Sequence, residues 1–167
     1  MTQLSLFRAS IPVFIRGLNA LAAELDAAKT SATARGFSAD VFVDARLYPD
    51  MLSLAGQVQR ASDTSKLSAE RLSGVKAPRF EDHERTLADL SQRVANTLDY
   101  LATIEPAHFE SMGEAPIVTP LGTFSRDNHV FEFSLPNFFF HLATVHAILR
   151  HNGVALGKLD YLGMKRP

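Results

Sequence analysis

Leu4, Phe7, Ile11, Phe14, Leu18, Leu21, Leu25 and Ala28 recur at alternating steps of three and four. Such a stripe fits one face of an α-helix, and it is buried only when other helices pack against it. Pro12 lies inside the run and predicts a kink or break near Ile11. Thr30, Thr33, Arg35 and Gly36 end the helix. Residues 37–48 then form a connection that is long for a helix–helix link, with apolar Val41, Phe42 and Val43. It is expected to cross over the bundle rather than turn tightly.

Three more helices follow from the same period. A second is expected to open at Pro49-Asp50, with Met51, Leu54, Val58, Ala61, Ser65 and Leu72 as its stripe and residues 74–78 as its end. A third is expected to begin near Asp82 and to carry Leu87, Leu90, Val94, Leu98, Leu101 and Ile104 up to Pro106. A fourth runs from Leu135-Pro136 through Phe138, Leu142, Val145 and Leu149 to His151, with Gly153 suited to a left-handed C-terminal position. Between the third and fourth, residues 110–134 contain β-prone pieces at 117–119 and 130–133, consistent with a small hairpin. The fold class is all-α, a four-helix bundle with a long crossover between helices 1 and 2, in a single domain over residues 1–167.

Charge and composition remove several classes of function. Seventeen basic residues against eighteen acidic leave a net charge of −1, without the basic excess that phosphate contacts require, so no nucleic-acid partner is expected. No cysteine is present, which excludes disulfides, thiolate nucleophiles and zinc–cysteine sites. The apolar stretch of residues 4–25 is interrupted by Arg8, Arg16 and Glu24 and lacks a cleavage pattern, so neither a membrane span nor a signal peptide is expected. A cytoplasmic location follows as an expectation. Nucleophile elbows and phosphate-binding glycine loops are absent as well.

The fourth helix carries the most informative side chains. Phe138, Leu142, Val145 and Leu149 cover one face, while Phe139, Phe140, Ala143, Ala147 and Ile148 cover much of the rest. A helix apolar nearly all round is buried on two sides, which predicts a homodimer through this helix. His141, His146 and His151 are five apart, about 140° out of line on a regular helix, and cannot converge on one ion. Metal pairs on a helix need a spacing of three or four. Ser134, Asn137, His141, Thr144 and Asn152 instead form a polar line within about 60° of His141, at the edge of the apolar stripe. Gln57 and Gln59 flank Val58 on the second helix. Buried polar groups need partners, and a network among these residues or a ligand pocket between helices two and four would both supply them.

Leu47-Tyr48-Pro49-Asp50-Met51, Gln57-Val58-Gln59, Pro136-Asn137-Phe138-Phe139-Phe140-His141, Arg150-His151-Asn152-Gly153 and the tail Leu156-Gly157-Lys158 to Asp160-Tyr161-Leu162-Gly163 are the distinctive local motifs. Together they resemble a bacterial domain-of-unknown-function family in the DinB-like (YfiT-like) superfamily, which counts metalloenzymes among its members. The resemblance spans nearly the whole chain and implies a four-helix bundle, commonly a homodimer. Active members of that superfamily hold a divalent metal with one histidine from the second helix and two from the fourth, four apart. Here Gln57 stands at the second-helix position, the fourth-helix pair is missing, and His141 alone is comparable to a ligand. No cofactor is therefore expected. The leading expectation is a small molecule bound by His141, Gln57, Gln59 and Asn137, with His141 the one acid–base group among them. The alternatives are a metal-dependent hydrolase or transferase using His141, and a dimeric interaction protein with no ligand.

Overall fold

The computed structural model describes residues 5–164. Helix α1, Leu6–Ala34, buries Ile11, Phe14, Leu18, Leu21, Leu25 and Ala28 on its expected stripe. Leu4 lies outside the described residues. The helix runs unbroken through Pro12. Both Pro12 and Arg8, whose carbonyl loses its usual donor there, face solvent, where water supplies the missing bond. By length and composition α1 could cross a bilayer, yet its apolar stripe is the core of the bundle.

The second helix begins later than the sequence suggests. Tyr48-Pro49-Asp50-Met51 closes as a turn, with Met51 N–H donating to the Tyr48 carbonyl at 3.0 Å. Proline suits the second position of such a turn as well as it suits a first helical turn. Helix α2, Leu54–Ser73, is instead capped by Ser53, and its first amides donate to Ala45 and Val43 carbonyls of the connection. Gly74 ends it in the left-handed conformation. Helix α3, Leu87–Ala102, opens at Thr86 rather than Asp82, with a reciprocal Thr86–Asp89 capping box. A short helix α4, Pro106–Ser111, follows.

Strands β1, Ile117–Thr119, and β2, Gly122–Phe124, make the antiparallel hairpin. The second β-prone piece of the sequence, residues 130–133, is helical. From the Ser125 cap the chain forms one turn of α5, Arg126–Asn128, then a wide π-helical turn, His129–Ser134, that leads directly into α6, Leu135–His151. Val-Phe-Glu-Phe alternates like a strand, but the Ser134 hydroxyl donates to the His129 carbonyl at 2.8 Å and supports the wide turn. Gly153 takes positive φ beyond α6, as expected. Helix α7, Lys158–Tyr161, lies on α1.

Helices α1, α3, α2 and α6 follow one another around the bundle, so α1 faces α2 across a diagonal. That diagonal requires the long 35–53 connection, which contains a 3-10 turn at Ala39–Phe42. Contacts Phe14–Phe138 and Glu24–His146 make α1 and α6 parallel, while His141–Gln57 and Ser134–Ser68 make α2 and α6 antiparallel. Tyr100 reaches the Val75 carbonyl near the ends of both α2 and α3, and Arg93 reaches Asp63, so these two are parallel. Residues 74–86 must therefore travel back along the bundle, a second crossover beyond the one the sequence suggests. Gly17 brings α1 against α6: a Cβ there would lie 2.5 Å from Phe138 Cε1.

Candidate functional site at the α2–α6 seam

Three polar rungs join α2 to α6 and to the π-helical turn that leads into it. Gln57 meets His141, Thr64 meets Asn137, and Ser68 meets Ser134. Their spacing along α2, seven and then four residues, is the spacing of one helix face. Asn137 and His141 are one turn apart on α6, so the sequence-derived polar line is a physical seam. Each rung satisfies groups that would otherwise be sealed without partners.

His141 is 8% exposed. Its Nδ1 lies 2.7 Å from Gln57 Oε1, while Gln57 Nε2 donates to the Leu52 carbonyl at 3.2 Å. Because that amide nitrogen is committed as donor, Oε1 is the acceptor and Nδ1 carries the imidazole proton. The remaining nitrogen, Nε2, is a lone-pair acceptor. It has no protein partner among the described residues and is not sealed from solvent, unlike both ring nitrogens of His129. Burial, and then the positive charge of Arg60, hold the His141 imidazole below its usual pKa, so it is neutral near pH 7. Exposed Phe140 lies beside it, its ring centroid 5.4 Å from that of the imidazole. Nδ1 therefore belongs to the fold, and Nε2 is left without a protein partner among the described residues.

Gln59 does not join this group. Two residues turn a helix by about 200°, and Gln59 points toward α3, where its Nε2 donates to Glu84 Oε2 at 2.8 Å. There it enters a charge cluster that the sequence reading missed. The Arg93 guanidinium, its side chain 1% exposed, binds Asp63 at 2.9 Å, Glu84 at 2.8 Å and Asp82 at 3.0 Å. Lys66 binds Asp63 at 3.0 Å, and Arg60 pairs with Asp82. Burial alone would raise the Glu84 carboxyl, but the bonds from Arg93 and Gln59 outweigh it and hold the group below the usual carboxylate range. Three cations face three anions, so the cluster is balanced and structural. Its sequence signal was Arg93, a charged residue at a buried position of α3 between Leu90 and Thr97.

The remaining histidines are scattered. His129 is fully buried between Phe124 and Phe133 with both nitrogens unpartnered. His146 bonds buried Glu24 at 2.6 Å on the opposite side of α6. His108 accepts from the Glu105 amide, His83 contacts Glu81 at the surface, and His151 is exposed at the end of α6. Among the described residues, no three histidine or acidic side chains are placed to share an ion. With one free imidazole nitrogen and an amide beside it, the seam does not fit a divalent metal of the superfamily's kind.

The helix order and the polar seam define an all-α bundle of the DinB-like class. The chain is similar over 97% of its length to a crystal structure of a DinB family member protein from Shewanella denitrificans, with 37% identity, a TM-score of 0.89 and 96% of that chain covered. The family described as a domain of unknown function (DUF1993) matches residues 6–162, and the chain belongs to it. No curated protein matches the chain.

Proposed function

We propose that this protein binds a small molecule at the outer edge of the α2–α6 seam, with His141 Nε2 accepting a hydrogen bond from it. The observation that carries this reading is the His141 Nδ1–Gln57 Oε1 hydrogen bond, which leaves Nε2 without a protein partner among the described residues. A lone pair at a semi-buried position beside Phe140 suits a ligand with a hydroxyl or amide donor on a small apolar body. Asn137 and Gln57 hold the seam in place. The site works without a resident metal, and metal-dependent hydrolysis or group transfer is the reading this donor set disfavours.

Ligand-observed NMR with fragment alcohols, phenols and primary amides tests the reading, comparing wild type with His141→Phe. Saturation transfer to one of these classes with wild type, lost in the variant, is expected. Identical hits for both proteins, or none for wild type, would overturn it. Elemental analysis after purification without an affinity tag should find no stoichiometric zinc, nickel or iron.

The same edge supports a second part of the proposal, a homodimer. Phe140 is 56% exposed on α6, and its neighbours Pro136 and Ala143 on that face are exposed too. Large aromatic side chains on a helix face of small residues are typical anchors of protein interfaces.

A further inference from the structure

On the opposite side of the bundle, α1, the end of α3 and the tail around α7 enclose a groove of about 780 Å³. Its existence follows from the sequence of α1. Ala20, Ala23 and Ala27 recur along one face with small side chains, and Phe7 and Met164 line the groove with them. Gly163, at φ 65°, lets the tail approach until a Cβ there would lie 3.6 Å from Ala20. The lining is predominantly apolar, and its charged members among the described residues are Arg16 and Asp160.

These two charges are not equivalent. Asp160 Oδ2 accepts the Gly157 amide at 2.6 Å and closes the first turn of α7. Arg16 is exposed and makes no ion pair or hydrogen bond among the described residues. The groove thus joins an apolar trough to one uncommitted guanidinium. We infer that it binds an amphipathic monocarboxylate, the hydrocarbon on the alanine floor and the carboxylate on Arg16. Guanidinium and carboxylate match in a two-point geometry that a neutral or cationic head cannot reproduce. The volume lies within the range of small-molecule sites, roughly 300 to 1,000 Å³, and the surface is concave. A second protein chain would need about 800 Å² of complementary surface, more than a groove of this size offers.

Titration of the full-length chain with sodium decanoate, kept below micelle formation, tests this by displacement of 8-anilinonaphthalene-1-sulfonate. Saturable one-to-one displacement is expected, and decyltrimethylammonium should compete at least 10-fold more weakly. Arg16→Ala should weaken decanoate about 10-fold, in line with the loss of one charge-assisted bond. Ala23→Phe, at an exposed helix position that keeps the fold, should abolish displacement with an unchanged circular dichroism spectrum. Failure of wild type to saturate, or displacement indifferent to both variants, would overturn the inference. So would an Ala23→Phe chain that turns a dimer into monomers, because the groove would then be a self-interface.

Discussion

His129 and His141 lie on the same continuous helical run, yet their surroundings give them different consequences. His129 has no partner for either nitrogen, and burial, with Arg71 adding a like charge, pushes its imidazole down to about 4. A histidine whose folded pKa lies below its unfolded value of about 6.5 favours the fold at neutral pH. That contribution is lost as pH falls from about 6.5 toward 4, because the unfolded chain takes up the proton first. Its ceiling is about 3 kcal/mol. His129→Leu, close in volume and free of unpartnered nitrogens, should therefore gain on wild type as pH falls, by about 3 kcal/mol between pH 7 and pH 4. Urea denaturation at the two pH values measures it, and parallel pH dependences would contradict it. His141 was readable from the sequence as a boundary residue because Asn137 precedes it by one turn. Gln57 was readable as its partner; Gln59 was not excluded then, although the 200° between them already separates their faces.

At the scale of elements, the apolar stripes and the start of the last long helix at Leu135 were legible, and the starts of α2 and α3 were not. Stripes repeat over many residues, whereas a start rests on a few, and Pro49-Asp50 serves a turn as well as a helix. Ser53 caps the helix instead, and the amides of Leu54 and Ala55 find the Ala45 and Val43 carbonyls. The parallel pairing of α2 with α3 was invisible because it depends on contacts far apart in sequence. It is held by Arg93, whose guanidinium joins Asp63 on α2 to Glu84 and Asp82 on the returning segment. Arg93→Met should cost about 3 to 5 kcal/mol, since it leaves buried carboxylates without their counter-charge. Chemical denaturation at pH 7 checks this; a loss below 1 kcal/mol would mean that Lys66 and Arg60 neutralise the cluster unaided.

For the whole molecule, the bundle places a polar seam and an apolar groove on opposite sides, with α6 offering Phe140 between the seam and solvent. If α6 is the face where two chains meet, Phe140→Glu should shift a sedimenting dimer to a monomer without loss of helicity, because an unpaired charge is costly in an interface core. Wild type that sediments as a monomer across micromolar concentrations would contradict the dimer. What the family resemblance did not convey is what His141 does in this chain, because that depends on the tautomer of a single imidazole. The most direct measurement is a long-range ¹⁵N–¹H correlation spectrum of the histidine side chains through a pH titration, with His141→Phe to assign the resonance. His141 is predicted to show a protonated Nδ1 and a bare Nε2 at pH 7, and to titrate below about 6.5. A proton on Nε2 at pH 7, or titration above that value, would contradict the presented lone pair on which the proposed site depends.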